Sequence, residues 1–155
     1  MKKLPLILLS LVLVFNFALA AQKISYDRSQ DVDKYVFVQG GTFQMGNKSG
    51  DDDEKPVHQV TLDYNFMMGK YEVTFDEYDG YCDETGKSKS NDKGWGRGKR
   101  PVIYVNWNNA IEYCNWLSEN ENFPAAYDKN GRFLDANGNI TYDITEVVGY
   151  RLPTE

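Results

Sequence analysis

The segment RPVIYVNWNNAIEYCNWLSEN, residues 100–120, joins a short apolar run directly to an amphipathic helix. The run Val102-Ile103-Tyr104-Val105 predicts a short, buried strand, because four consecutive apolar residues leave no face for solvent. Asn106 then stands where a helix N-cap is needed, since its side-chain oxygen can accept a hydrogen bond from an early helix amide. An apolar stripe defines the buried face of this helix, and it consists of Trp107, Ala110, Ile111, Cys114 and Leu117.

A second helix is predicted upstream, in YEVTFDEYDGYCDETG, residues 71–86. Thr74 and Glu77 have the spacing of a capping box, and Gly86 is a suitable C-terminal stop. The predicted helix therefore runs from Phe75 to about Glu84. Its apolar face carries Phe75, Tyr78 and Cys82.

The remaining segments favour short strands and turns. KYVFVQGGTFQMG, residues 34–46, predicts two strands around Gly40-Gly41, and VHQVTLDY, residues 57–64, alternates as a half-buried strand does. DKNGRF and DANGNITY, residues 128–133 and 135–142, carry hairpin turn signals. Strands, two helices and then hairpins, with no repeated strand–helix–strand rhythm, indicate the α+β class.

The first residues have the features of an export signal. Lys2 and Lys3 precede an apolar run, and Ala18-Leu19-Ala20 has the pattern of a signal-peptidase site. The run is short for a membrane span and contains Pro5 and Asn16, so an uncleaved anchor is disfavoured. We therefore expect an exported protein, periplasmic, cell-surface or secreted, with no stable membrane span after signal cleavage.

The charge of the chain excludes one broad class of partner. Removing Lys2 and Lys3 from the 17 basic residues leaves 15 against 23 acidic residues, a net charge of −8. Such a balance argues against general nucleic-acid binding, which requires basic surfaces.

The two cysteines, Cys82 and Cys114, both fall on apolar helix faces. A buried thiol there packs as a small hydrophobic group. An exported protein also permits one disulfide, which would form if the two helices packed face to face. The sequence leaves both alternatives open.

Three further features have a structural and a functional interpretation. His58 opens a predicted strand without a second histidine or nearby cysteine, which favours a structural or surface role over a metal ligand. Residues 51–54 are all acidic, but a contiguous run rarely converges on calcium, so a solvated loop is favoured. DKNGR and DANGN resemble pieces of a calcium loop, but their glycine comes too early, which favours turns.

The loop KSKSNDKGWGRGKRP, residues 87–101, carries six cations and Trp95. An exposed tryptophan beside cations is suited to stack on a sugar or to grip an acidic peptide. The favoured alternative is a solubilising loop whose tryptophan folds back onto the core.

Four stretches appear in the order seen in one known family. They are FVQGGTFQMG (37–46), DEKPVHQVTLDYNFMMGKYEVTFDEY (53–78), GWGRGKRPVIYVNWNNAIEYCNWLS (94–118) and GYRLPTE (149–155). Together they resemble the sulfatase-modifying-factor family, the formylglycine-generating-enzyme-like domain. The resemblance implies a fold related to C-type lectins, with little regular secondary structure and an aromatic-rich core. The 8 Phe, 3 Trp and 11 Tyr residues suit that core.

The resemblance also implies a division of the chain. Residues 1–20 are expected to be the signal peptide, 21–34 an N-terminal extension, and 35–155 the N-terminal part of the domain. In the family RLPTE is usually followed by the body of a helix, and here Thr154 is placed to cap a helix beginning at Glu155. The chain is therefore expected to be truncated at its C-terminus.

For function, the resemblance implies two alternatives. Enzymes of the family oxidise a cysteine of a sulfatase-type protein to formylglycine, using oxygen and copper held by a pair of cysteines, while other members keep the fold without this chemistry. The copper-binding cysteines and most calcium ligands belong to the C-terminal half, and Cys82 and Cys114 do not match them. We therefore assign no catalytic, cofactor-binding or metal residue and expect this chain to be inactive. The longer parent is expected to be either the oxidase, with a sulfatase-type substrate, or a binding or assembly module for other exported proteins.

Overall fold

The computed structural model describes residues 34–154, which form short elements joined by long turns. Four strands precede two helices: β1 is Tyr35–Val38, β2 is Gly41–Met45, β3 is His58–Leu62, β4 is Phe66–Gly69, α1 is Phe75–Thr85 and α2 is Trp107–Asn120. Two single turns of 3-10 helix lie at Asp52–Glu54 and Ile144–Glu146. This mixture confirms the α+β class and the small content of regular structure. Within the described residues, neither helix is long and apolar enough to cross a membrane. The predicted signal peptide and the helix start at Glu155 lie outside the described residues.

The strands pair as two antiparallel ribbons, one nested within the other along the chain. β2 pairs with β3, and β1 pairs with β4. Gly40, between β1 and β2, marks where the ribbons meet: a Cβ there would lie 2.6 Å from the carbonyl oxygens of Leu62 and Tyr64. Asn65 accepts a hydrogen bond from the Gly40 amide at 2.9 Å. Only glycine leaves room for this close backbone approach.

Helix α1 has the predicted ends. The Thr74 hydroxyl accepts from the Glu77 amide at 3.4 Å, and the Glu77 carboxylate accepts from the Thr74 amide at 2.8 Å, which completes the capping box. Gly86 ends the helix in the left-handed conformation, with φ of 70°. The buried face includes the three predicted residues and also Tyr81.

Helix α2 also begins as predicted, because the Asn106 side chain accepts from the Asn109 amide at 2.9 Å. Ile111 and Cys114 of the predicted stripe are buried, whereas Trp107 is 52% exposed. A second face, carrying Tyr113, is buried against α1. The helix therefore lies between two core clusters rather than burying a single stripe.

The predicted buried strand at residues 102–105 is wrong. Only Pro101 makes a bridge, to Thr74, and Tyr104 is 69% exposed. Tyr104 adopts φ of 59°, so the backbone cannot continue as a strand there. The Val102 amide instead donates to the Val73 carbonyl at 2.8 Å, which fastens the segment beside the start of α1.

Aromatic rings dominate the first of two core clusters, whereas the second has one buried aromatic ring. The first cluster contains Tyr78, Tyr81, Cys82 and Tyr113. The second contains Ile111, Cys114, Ala126 and Tyr127. The predicted hairpins after α2 reduce to turns with single bridges, Tyr127 to Phe133 and Leu134 to Ile140, which place Tyr127 against the second cluster.

Candidate functional site

The two thiols are the first candidates for chemistry, and the structure separates them. Cys82 is 1% exposed and lies in the first core cluster, while Cys114 is 8% exposed and lies in the second. Both cysteines are free, so the alternative of a disulfide is not realised. Burial raises the pKa of Cys114 to about 11, and burial, followed by the nearby Asp79 carboxylate, raises the pKa of Cys82.

These thiols do not fit the copper pair that the family resemblance implies for an active oxidase. Copper(I) binds thiolates, and burial in apolar surroundings suppresses the thiolate form. The two sulfurs also belong to different packing clusters, so they do not form one ligand pair. The two cysteines of residues 34–154 therefore do not form the copper site that this oxidation requires.

The Asp128 and Asp135 carboxylates, which lie in the two segments predicted as turns, accept hydrogen bonds from groups within those turns. One Asp128 oxygen accepts from the amides of Asn130 and Arg132 at 2.8 and 2.9 Å, and the other oxygen pairs with the Arg132 guanidinium. The Arg132 amide and guanidinium lower the pKa of Asp128 to about 2. Asp135 accepts from the amides of Asn137 and Asn139 in the same way. Both segments are turns, as the glycine positions predicted.

The acidic run and His58 are surface features. Residues 52–54 form an exposed 3-10 turn, and the Lys55 ammonium lies 3.3 Å from the Asp52 carboxylate. His58 is exposed at the start of β3, and its Nδ1 lies 3.0 Å from the Pro56 carbonyl oxygen. Over residues 34–154 no group of three or more histidine, cysteine or carboxylate side chains is arranged to hold a metal ion.

The basic loop is attached to the acidic surface of the two helices. Arg97 pairs through two nitrogens with the Asp79 carboxylate, and its guanidinium carbon lies 4.5 Å from the centre of the Phe75 ring. Other pairs join the loop to the helices: Lys87 to Glu112, Lys89 to Asp83 and Lys99 to Asp76. Trp95 does not fold back onto the core, because it is 72% exposed. The favoured expectation for Trp95 is therefore wrong.

An apolar surface lies on the ribbon of β1 and β4. Val36 pairs with Met68 and Phe37 pairs with Met67. These four side chains are 44, 39, 45 and 39% exposed, in the same order. Since successive side chains of a strand point to opposite faces, both faces of this ribbon present apolar groups to solvent. We call these four residues the apolar ribbon.

Sequence reasoning missed this surface because β4 was not assigned. The apolar triplet Phe66-Met67-Met68, between Asn65 and Gly69, was the available signal. A short apolar run indicates a strand. It does not show which strand pairs with it, or that both faces of the resulting ribbon stay exposed.

Comparisons with known proteins agree with the motifs. A family model described as the sulfatase-modifying factor enzyme 1-like domain matches residues 20–155. The chain is 38% identical over 130 residues to the chaperone protein LppX of Paenibacillus barcinonensis, covering 79% of this chain and 42% of LppX. It is 27% identical over 106 residues to the serine/threonine-protein kinase pkn1 of Chlamydia caviae, covering 54% of this chain and 17% of the kinase.

Similarity extends to solved structures, of which PvdO is an example. PvdO from Pseudomonas aeruginosa superposes with a TM-score of 0.52 at 27% identity, covering 57% of this chain and 41% of PvdO. The chain therefore spans about two fifths of the length of LppX and PvdO.

Proposed function

Because the chain belongs to the sulfatase-modifying factor enzyme 1-like family, we propose that it provides a non-catalytic module that binds apolar segments of other exported proteins. Membership confirms the family resemblance and the fold class predicted from the four sequence stretches. Membership does not by itself give the function of the domain, because the family contains proteins of different function. The similar proteins named above, for example, include a chaperone and a kinase.

The apolar ribbon is the observation that carries this proposal. Large contiguous exposed apolar patches are typical of protein interaction sites. A two-stranded ribbon also offers backbone groups to which an extended segment can add as a further strand. An unfolded or partly folded exported protein supplies both apolar side chains and an extended backbone. The similarity to a protein described as a chaperone supports this choice of partner.

The test uses the full chain and a chemically denatured reporter enzyme diluted into buffer. The full chain is expected to suppress aggregation of the reporter, measured by light scattering. Met67→Lys combined with Met68→Lys should weaken this effect at least about tenfold, because each buried methionine side chain contributes roughly 1.5–3 kcal/mol. Both methionines are exposed in the unbound protein, so the fold should persist, which circular dichroism checks.

A matched control carries lysines at Ile140 and Tyr142, which are also exposed but lie outside the apolar ribbon. This variant should suppress aggregation as well as the unmodified chain does. The proposal is wrong if the unmodified chain has no effect, or if the control loses as much as the ribbon variant.

The second candidate function is oxidation of a sulfatase-type cysteine, and the family description is the observation that favours it. The separate, buried thiols do not support this chemistry within residues 34–154. Peptide mass spectrometry decides between the two candidates. Formation of the aldehyde from a sulfatase-type peptide, with copper, oxygen and a reductant supplied, would replace the binding proposal with the enzymatic one.

Export is part of the proposal and rests on Lys2, Lys3, the apolar run and Ala18-Leu19-Ala20. Mass spectrometry of the protein from its native host should find the mature N-terminus at or close to Ala21. Recovery of the chain with intact Met1 from the cytoplasm would contradict this.

A further inference from the structure

A cleft separate from the apolar ribbon lies between the end of α1, the basic loop and the start of α2. Its volume is about 590 Å³, within the range of small-molecule sites. Ser88 and Lys89 form part of one wall, and Tyr104 and Asn109 form part of another. We call it the loop cleft.

The wall formed by the basic loop is held in place by the core. The Cys82 thiol donates to the Ser88 carbonyl at 3.6 Å, and the Lys87 amide donates to the Cys82 carbonyl at 3.0 Å. Arg97 donates to the Ser90 carbonyl at 2.8 Å, and the Ser90 hydroxyl donates to the Ile103 carbonyl. The cleft is therefore fixed before any ligand arrives, which lowers the entropic cost of binding.

Tyr104 is unusual among the residues that line the loop cleft. It keeps φ of 59°, a conformation that costs a bulky residue energy, yet its ring is 69% exposed. Packing in the core therefore does not explain this conformation. The Lys93 ammonium lies over one face of the ring, 4.8 Å from its centre, so a ligand would stack on the opposite face.

The charges of the loop cleft disfavour an acidic ligand. Lys87 lies 2.8 Å from Glu112, and Lys89 lies 2.8 Å from Asp83, so each lining lysine is already paired with a carboxylate. By contrast, the Ser88 hydroxyl and the Asn109 side-chain amide have no hydrogen-bond partner among the described residues. Among the residues that line the cleft, the groups that remain for a ligand are therefore neutral donors and acceptors beside the face of Tyr104 that Lys93 does not cover.

From this combination we propose that the loop cleft binds a neutral sugar residue, whose apolar face stacks on Tyr104 while its hydroxyls bond to Ser88 and Asn109. A sugar ring has one apolar face and a rim of hydroxyls, which matches the lining groups. A charged peptide would have to displace the ion pairs Lys87–Glu112 and Lys89–Asp83. The ligand is either a free sugar or a unit within a longer glycan, since both present the same ring.

The experiment is saturation-transfer NMR on the full chain with methyl glucoside, N-acetylglucosamine and its tetramer. At least one sugar should receive saturation from the protein. Binding the tetramer at least about tenfold more tightly than the monomer would identify a glycan as the source, and equal affinities would identify a free sugar. Tyr104→Ala should weaken binding about 3–10-fold, since an aromatic contact contributes roughly 0.5–1.5 kcal/mol. Asn109→Ala should weaken it as well.

Two variants control for effects on the fold. Tyr142→Ala removes another exposed tyrosine, 96% exposed and outside the cleft, and should leave sugar binding unchanged. Tyr104→Gly removes the ring while relieving the strained backbone, so it should weaken binding as much as Tyr104→Ala does without losing stability. The proposal is overturned if no sugar binds, if Tyr142→Ala weakens binding equally, or if a hexaglutamate peptide binds through Tyr104 and the sugars do not.

Discussion

Replacing Tyr81 with alanine should lower the free energy of unfolding by about 3–5 kcal/mol, the range for deleting a large buried ring. Tyr81 is 1% exposed and lies at the centre of the first core cluster. Its ring centre lies 5.3 Å from that of Tyr78, 5.6 Å from that of Tyr113 and 5.4 Å from that of Trp116. Alanine would remove all three contacts and leave a cavity between the helices. Urea denaturation followed by circular dichroism measures the change.

Tyr81→Phe is the control at the same position, and it should not lower the free energy of unfolding. The buried Tyr81 hydroxyl has no hydrogen-bond partner within 3.5 Å among residues 34–154, although the Lys87 ammonium lies near enough to oppose the rise that burial causes in its pKa. Burying an unsatisfied hydroxyl is unfavourable, so Tyr81→Phe should leave stability unchanged or raise it. A loss above about 1.5 kcal/mol in Tyr81→Phe would show that the hydroxyl is bonded after all.

Replacing Asn115 with alanine should lower the free energy of unfolding by about 2–4 kcal/mol, because buried backbone groups would lose their partners. The Asn115 side-chain oxygen accepts from the amides of Ala126 and Tyr127, both at 3.0 Å, and its nitrogen donates to the Tyr127 carbonyl at 2.8 Å. Ala126 is fully buried and Tyr127 nearly so. One side chain therefore fastens the turn region to α2. Thermal denaturation measures the loss.

Two further variants define the cause of this effect. Asn115→Asp keeps the acceptor but loses the donor, so its stability should lie between that of the unmodified chain and that of Asn115→Ala. Asn108→Ala removes an exposed asparagine from the same helix and should change stability by less than about 0.5 kcal/mol. Because alanine favours the helix more than asparagine does, a loss in Asn108→Ala equal to that in Asn115→Ala would mean that the three hydrogen bonds are not responsible.

The two helices could be predicted from the sequence because their signals are local. Thr74, Glu77 and Gly86 bound α1, and Asn106 begins α2, all through contacts within a few residues. The turns at Asp128 and Asp135 are local for the same reason. The family and fold class followed from the order of four stretches, which needs no geometry.

The errors arise where distant residues decide the outcome. Residues 102–105 are apolar enough for a strand, but their backbone bonds to the start of α1 and Tyr104 reverses direction. Trp95 was expected in the core, but ion pairs from its loop to α1 and a bond from Arg100 to its carbonyl hold its backbone at the surface. Spacing along the chain encodes neither result.

The candidate surfaces were only partly accessible to sequence reasoning. That Cys82 and Cys114 lie on apolar helix faces could be predicted from their positions in the sequence, and the structure buries the two thiols in separate clusters. The apolar ribbon required the pairing of β1 with β4, which are separated by β2 and β3. The loop cleft required the contact of two helices with one loop.

The segment around Tyr150 fastens the last described residues to the first ones. The Tyr150 ring lies 5.8 Å from that of Tyr35, its amide donates to Ser118 at 2.8 Å, and the Arg151 guanidinium bonds to the Tyr64 hydroxyl at 3.4 Å. The Arg151 to Tyr64 contact spans 87 residues of chain. During synthesis from the N-terminus, the two ribbons therefore emerge long before their anchoring partners exist. Whatever protects the nascent strands in that interval must come from outside these contacts, because loop closure over such a distance waits for Tyr150 and Arg151.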